Sequence, residues 1–183
     1  FSQALPVLAF TPDHVETGLA FDSTEIEKIT LSNKGLAEMR DVNLSLVLPD
    51  GSAAPTWVYL TSPSTLGTLG VGEAKEVTIA FSPTSSSAAE GMHSFKLRVM
   101  SSNYAQTDIN LYASVTQSGQ GSVLFKVSDI YTGTIKNNTL IQGLANAKVT
   151  VQNELVLTEE YTRNTDSVGG AYFTDLPAGR YKC

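Results

Sequence analysis

The sequence predicts an all-β protein made of two tandem β-sandwich domains, and three observations support this. Short runs alternate between apolar and polar residues with the period of a β-strand, and helical periodicity is almost absent. Turn residues interrupt these runs about every ten residues, a spacing typical of two-sheet sandwiches. A polar, Gly-rich segment, 117–121, divides the runs into two series and is predicted to be a linker.

The first series predicts a two-sheet β-sandwich over residues 1–116. Apolar and polar residues alternate most regularly in the segments 42–48, 77–81, 95–99 and 109–115. Less regular runs lie at 6–11, 15–21, 25–33 and 57–60, and the segment 61–72 is predicted to be a loop. Turns are expected at Asn33–Gly35 and Pro49–Gly51, where the residue types favour chain reversal.

The second series predicts a smaller β-sandwich over residues 122–183. Strands are expected at 123–127, 147–151, 155–162 and 171–173, with a polar loop at 129–143. Turn residues at 166–170 and 176–179 separate the last of them, and a further strand begins at Arg180. The five-residue linker predicts that the two domains lie end to end with limited freedom.

Three motifs of the second domain occur in the order expected for one known module. They are Leu144–Val151, Thr165–Phe173 and Leu176–Tyr181. This part of the chain resembles the carboxypeptidase regulatory-like family, whose transthyretin-like sandwich is shared by the B-type repeats of Gram-positive adhesins. One departure is Asn146, where the family usually has Gly. The resemblance implies more strands than this chain supplies, so we expect the second domain to be incomplete at its C-terminal end.

The first domain is similar to bacterial immunoglobulin-like or fibronectin-like accessory domains. The similarity depends on a strand ending in Asn-x-Gly, a Leu-x-x-Gly-Glu turn and a strand ending in Phe-x-Pro, found at Ile29–Gly35, Leu66–Glu73 and Val77–Pro83. This resemblance implies a non-catalytic sandwich attached to other domains.

The composition favours a protein that works outside the cell. Apolar residues make up 42% and charged residues only 16%, while 19 Ser and 20 Thr supply much of the polar surface. The net charge of -6 and the isoelectric point near 4.8 argue against nucleic-acid or anionic-membrane partners. No apolar run reaches the ~18 residues of a membrane span. We therefore expect a secreted or cell-surface location and no membrane insertion by this segment.

The sequence offers no set of residues for catalysis. The two histidines, His14 and His93, are expected at the surface, and no Gly-x-Ser-x-Gly motif is present. The single cysteine, Cys183, cannot form an intrachain disulfide or a cysteine-based zinc site. We expect neither an enzyme, nor a bound cofactor, nor a metal site.

Two sets of residues are candidates for a more specific role. Trp57, Tyr59 and Tyr104 are candidate contacts for a glycan, although a lone Trp in a sandwich is more often a core residue. The adhesin resemblance implies a second role, an isopeptide bond from Lys126 in the first strand, assisted by Glu159 or Glu160. An ordinary outward-facing lysine is the alternative.

Three hypotheses of function follow. The first is a pair of structural spacer modules in a larger exported bacterial protein, which present other domains of the same polypeptide. The second is a carbohydrate- or protein-binding accessory module of a secreted hydrolase or adhesin. The third is a subunit that assembles by strand exchange with another chain, because an open sandwich edge exposes unpaired backbone groups.

Overall fold

The computed structural model of the protein describes residues 4–129, 134–136, 139–141, 143–154 and 156–183. Every regular element in these ranges is a strand, which confirms the predicted all-β class. The chain divides into two compact units after Gln117, called unit 1 and unit 2. Unit 1 contains β1 (Leu8–Thr11), β2 (His14–Ala20), β3 (Glu25–Asn33), β4 (Met39–Val47), β5 (Val58–Leu60), β6 (Thr65–Leu69), β7 (Ala74–Phe81), β8 (Gly91–Met100) and β9 (Thr107–Thr116). Unit 2 contains β10 (Gln120–Lys126), β11 (Thr134–Lys136), β12 (Thr139–Ile141), β13 (Lys148–Asn153), β14 (Glu160–Asn164), β15 (Gly170–Pro177) and β16 (Tyr181–Lys182).

Unit 1 is a sandwich of two sheets around one core. One sheet has the order β1-β3-β7-β5 and the other has the order β2-β9-β8-β4-β6. Both sheets contribute apolar side chains to a single buried cluster, which includes Ile29, Leu31, Phe81, Leu97 and Leu111. This face-to-face packing of alternating strands is the arrangement of immunoglobulin-like domains.

The longest ladder of unit 1 shows why the alternating pattern was informative. β8 and β9 pair antiparallel from Gly91↔Val115 to Val99↔Thr107. The inward positions of both strands are almost fully buried, whereas outward positions such as Lys96 and Asn110 reach the surface. Each strand thus buries one face against the opposite sheet and leaves the other for polar contacts.

The N-terminal segment of unit 1 contributes to both sheets. β1 pairs antiparallel with β3 in the four-stranded sheet. The chain then crosses at Pro12, and β2 pairs in parallel with β9 at the edge of the five-stranded sheet. The second strand of unit 1, β2, and its last strand, β9, are therefore neighbours that run in the same direction.

The predicted loop at 61–72 is wrong in its middle, because Thr65–Leu69 forms β6 beside β4. The register between these strands shifts twice, and Gly67 has a φ of 70°. A strand with such irregularities loses the strict alternation by which strands are recognised in a sequence.

Unit 2 packs a two-stranded sheet, β10-β15, with a three-stranded sheet, β14-β13-β16. Their shared core consists of Val149, Val151, Ala171, Phe173 and Leu176, with further apolar residues packed around it. The predicted polar loop at 129–143 instead contains the β11–β12 hairpin. The strand expected at 155–162 begins only at Glu160, and residue 155 lies outside the described residues.

The turn residues of unit 2 have the conformations that their types favour. Gly169 has a φ of 80°, and a side chain on it would overlap the Val127 carbonyl oxygen. Asn146, where the resembled family usually has Gly, has a φ of 60°. Asn tolerates this left-handed conformation better than most residues, so the departure preserves the backbone geometry.

Candidate functional site

The three aromatic residues predicted as ligand contacts lie in different surroundings in unit 1. Trp57 precedes β5 and is only 5% exposed, within the core. Tyr59 is 44% exposed on the outer face of the four-stranded sheet. Tyr104 lies in the β8–β9 connection, half-buried against the core. The proposed pair of Trp57 and Tyr59 therefore forms no sugar-binding platform, and of the two interpretations of Trp57 the structure supports the core residue.

The Trp57 ring is held by two aromatic neighbours on β8. His93 and Phe95 approach it at centroid distances of 5.2 Å and 5.1 Å, both nearly perpendicular. Edge-to-face contacts of this kind stabilise a core beyond the area they bury. His93 Nε2 also lies 2.7 Å from the Ala89 carbonyl oxygen. His93 is thus a half-buried packing partner rather than the surface histidine expected from the sequence.

The outer face of the four-stranded sheet carries a small apolar patch. Ile26 and Tyr59 are cross-strand neighbours of Ala80, which they cover almost completely. Further along the same two strands, Lys28 forms a diagonal ion pair with Glu76, in which its Nζ lies 3.1 Å from Glu76 Oε1. Small groups of exposed apolar side chains of this kind are normal on soluble proteins.

The outer face of the five-stranded sheet is polar and carries the best-defined charge cluster. Arg98 on β8 faces Asp108 on β9 and donates two hydrogen bonds to its carboxylate, 2.9 and 3.0 Å long. These bonds hold the pKa of Asp108 below its usual value and raise that of Arg98. Lys96 Nζ lies 3.8 Å from the same carboxylate. The Asp108 carboxylate is thus engaged by Arg98 and Lys96 of the neighbouring strand. Such pairs of opposite charge across two strands stabilise a sheet.

The second histidine, His14, also lies on this sheet, at the start of β2. Its Nδ1 atom lies 2.6 Å from Asp13 Oδ1, and its ring meets Tyr112 edge-on at 6.5 Å. Both contacts come from exposed or half-buried groups at the sheet edge. This arrangement contains no serine or cysteine nucleophile, so it lacks the parts of a hydrolytic triad.

The residues proposed for an isopeptide bond are not assembled in unit 2. Lys126 lies at the end of β10 in the two-stranded sheet, opposite Gly170, and its side chain is exposed. Glu159 belongs to the other sheet's hairpin, where its carboxylate accepts a hydrogen bond from Asn153 Nδ2. Glu160 is exposed at the start of β14. Amide formation between Lys and Asn needs a shielded carboxyl beside the amine, and these three residues do not provide that setting.

One buried side chain that the sequence did not indicate as important organises the start of unit 1. Asn33 ends β3, is fully buried, and accepts hydrogen bonds from Val7 N and Gly35 N at 3.2 and 3.0 Å. It donates to the carbonyl oxygens of Ala37 and Leu69 at 2.7 and 3.1 Å. The Asn-x-Gly motif was predicted only as a turn. Its asparagine in fact joins the N-terminal segment, β3 and the end of β6.

Metal-ligating clusters and membrane-spanning helices were both sought among the described residues. The residues that the structure describes contain no group of three or more His, Cys, Asp or Glu side chains that could hold a metal ion. Within the same residues, no helix has the length and apolar character needed to cross a membrane. A shallow polar depression in unit 2, lined by Ser118, Gln120, Gly121, Ser122 and Asp175, is open to solvent.

The similarity of this chain to known proteins is found in structure, at low sequence identity. No protein-family model matches the sequence, and a search of curated proteins found no match. Solved structures do match by shape. They include a family 123 glycoside hydrolase from Clostridium perfringens, with 8% identity and a TM-score of 0.46 over 62% of this chain and 27% of the hydrolase. The chain therefore spans about a quarter of that protein's length.

Two further matches are a CARDB domain and a chaperone. The CARDB domain comes from a Pyrococcus furiosus protein and has 16% identity, a TM-score of 0.41, and coverage of 63% of this chain and 95% of the domain. The periplasmic chaperone SfaE has 11% identity, a TM-score of 0.46, and coverage of 96% of this chain and 89% of its own. These identities and scores are too low to carry a functional argument. The sandwich described above rests on this chain's own strand pairing and core.

Proposed function

We propose that the two units are non-catalytic structural modules of a larger exported, cell-surface bacterial protein, in which they space and present other domains of the same polypeptide. One observation carries this proposal. Each unit closes its own apolar core, and only residues 117–119 lie between the last strand of unit 1 and the first strand of unit 2. Independently folded units of this kind are suited to stand between other domains of one polypeptide.

The contacts of the reactive side chains support a structural role. The imidazole of His93 packs against Trp57, and the carboxylate of Asp108 is engaged by Arg98. Catalytic groups act through atoms that are free to meet a substrate. At His93 and Asp108, the side-chain atoms that a catalytic group would use are instead engaged in contacts that stabilise the fold.

The proposal is tested first in the organism that makes the protein. The denatured intact mass of the native material should lie well above 19.5 kDa. Protease added to intact cells should cut the protein, because the proposal places it at the surface. A 19.5 kDa species found only inside the cell would contradict the proposal.

A replacement experiment separates spacing from binding. Residues 4–183 of the parent protein would be exchanged for an unrelated pair of β-sandwiches, with a simple deletion as the control. If the units are spacers, the exchange restores the activity that the deletion removes. If they bind a glycan or a protein, the exchange fails as completely as the deletion.

A second candidate function is assembly by strand addition between two copies of this chain, and one observation favours it. Among the described residues, β10 pairs only with β15, and the cross-strand neighbours Leu124 and Tyr172 are 53% and 55% exposed. Natural proteins usually protect such edges with charge. Sedimentation equilibrium should then show a dimer that Leu124→Lys weakens, whereas a monomer at all concentrations would reject this function.

A further inference from the structure

We propose that unit 1 is a load-bearing module, and that its resistance to stretching comes from the parallel ladder between β2 and β9. This inference rests on the proposed function, because a spacer between attached domains is loaded through its two chain ends. It adds a mechanical property that spacing alone does not require. The ladder lies where that load must pass.

The direction of the two strands determines how the load acts. β2 and β9 pair in parallel over seven residues, from His14↔Asn110 to Ala20↔Thr116. Tension pulls β2 back toward the N-terminus and β9 forward toward the C-terminus. Parallel neighbours pulled in opposite directions slide along each other, so their hydrogen bonds are loaded together. Antiparallel neighbours pulled apart from their open end separate one pair at a time.

The register identifies which β2 amides hold the ladder. Phe21 N donates to Thr116 O at 3.2 Å, which continues the ladder beyond β2. Donors alternate along a strand, so the amides of Val15, Thr17 and Leu19 point toward β9. The amides of the residues between them, such as Glu16, point away from β9 at the open edge of the sheet.

Core packing reinforces the ladder against sliding. Val15 and Leu19 on β2 are 1% and 2% exposed. Their partners in register, Leu111 and Val115, are fully buried in the same cluster. A shift of β2 along β9 would pull these apolar side chains out of their positions at the same time as it breaks the hydrogen bonds.

A second attachment precedes the ladder on the chain. Leu5 and Val7 accept backbone hydrogen bonds from Leu36 N and Lys34 N, at 2.9 and 2.8 Å, and β1 then pairs with β3. This attachment is in the other sheet, so load entering from the N-terminus reaches it before β2. Its release frees only the few residues before His14. We therefore expect a short extension first and the main unfolding event second.

The test is single-molecule force spectroscopy on the full chain, with handles at the N-terminus and Cys183. The event of unit 1 is recognised by the chain it releases, the ~100 residues from His14 to Thr116, or about 35 nm at about 3.5 Å per residue. Unit 2, residues 118–183, releases about 23 nm on the same scale. The two events are thus separable in one trace.

Three variants test the assigned ladder. Thr17→Pro removes an amide that points toward β9, and Glu16→Pro removes the adjacent amide that points away. Thr17→Ala controls for the lost side chain. Thr17→Pro should raise the unfolding rate of unit 1 under end-to-end load about tenfold, with little change in the two controls. Equal effects of the two prolines would overturn the assignment of the ladder as the element that resists load.

A change of pulling direction tests the geometry. With Cys183→Ser, handles at Met92→Cys and Gln117→Cys pull apart the open end of the β8–β9 hairpin, where Gly91 pairs with Val115. Unit 1 should open at a clearly lower force in this direction, and Thr17→Pro should then matter little. A force as high as in the end-to-end direction would refute the shear mechanism. The spacer proposal is tested by the native mass of the protein, which this pulling experiment does not use. A failure of the β2–β9 ladder proposal can therefore be distinguished from a failure of the spacer proposal.

Discussion

Replacing Asn33 by alanine should destabilise unit 1 more than the truncation of any other asparagine in this unit. The side chain is fully buried and satisfies two backbone N–H groups and two carbonyl groups. Each lost bond costs about 1 kcal/mol, with more where a buried partner is left without another. The four bonds share one network, so their effects do not add fully, and we expect a total of about 3 kcal/mol.

The single tryptophan makes this measurement specific to unit 1. Trp57 lies in its core, so the fluorescence of the full chain in urea follows this unit. With a slope of about 2 kcal/mol per molar urea, the midpoint should fall by about 1.5 M. In thermal unfolding, the same loss lowers the Tm by about 10 °C.

Asn103→Ala is the matched control for Asn33→Ala. Asn103 Oδ1 accepts a hydrogen bond from Arg40 N at 2.9 Å, and its Nδ2 donates to Glu38 O at 2.9 Å, but this side chain is exposed. Water replaces its bonds on truncation, so its loss should cost below about 1 kcal/mol. If the two variants have the same midpoint, the argument from the buried network is refuted.

Three further predictions concern unit 1, each followed by Trp57 fluorescence. Gly35→Ala places a Cβ in overlap with Leu5 O and Val7 N, so it should lower the midpoint by more than about 1 M, and an unchanged midpoint would refute that contact. Asp108→Asn should cost about 1 kcal/mol at pH 7. Because Arg98 holds the pKa of Asp108 in the folded state below its ordinary value, the ion pair contributes fully at pH values above that ordinary pKa. Its contribution is lost as the pH falls through the lowered pKa of the folded state. The gap between the native chain and Asp108→Asn should therefore close in acid, and a gap independent of pH would contradict the ion pair. Iodide should quench Trp57 only after unfolding, and soluble glycans should leave its emission unchanged.

The parts of the fold that could be predicted from the sequence are the strands whose own residue pattern shows which face is buried. The alternation at 95–99 and 109–115 depends only on which face of each strand is buried, so both strands were predicted near their centres. β6 could not be found this way, since Gly67 and two register shifts remove the alternation. The β11–β12 hairpin was missed because its residues lie in a polar segment without a clear apolar face.

The candidate site was harder to predict because it depends on contacts between distant residues. Trp57 and Tyr59 are two positions apart on the chain, and neither residue type shows which one faces the core. Arg98 and Asp108 occur in separate alternating strands, and only the register of β8 with β9 makes them neighbours. Asn33 in an Asn-x-Gly motif is expected to be a turn residue at the surface. Its burial follows from Val7 and Leu69, which no local pattern connects to it.

The parallel pairing of β2 with β9 is the clearest case of a property that local pattern does not contain. The two strands lie at opposite ends of unit 1, and each has an alternating pattern compatible with either direction of pairing. Their direction follows from the crossing at Pro12, which moves the chain from the β1–β3 pair to the edge of the other sheet. If β2 had continued beside β3, it would not lie next to β9, the last strand of unit 1. Load on the chain ends would then fall on other strand pairs. Resistance to stretching is therefore determined by the route of the chain between the sheets, and a change that removes this crossing should weaken unit 1 under force even if its core remains intact.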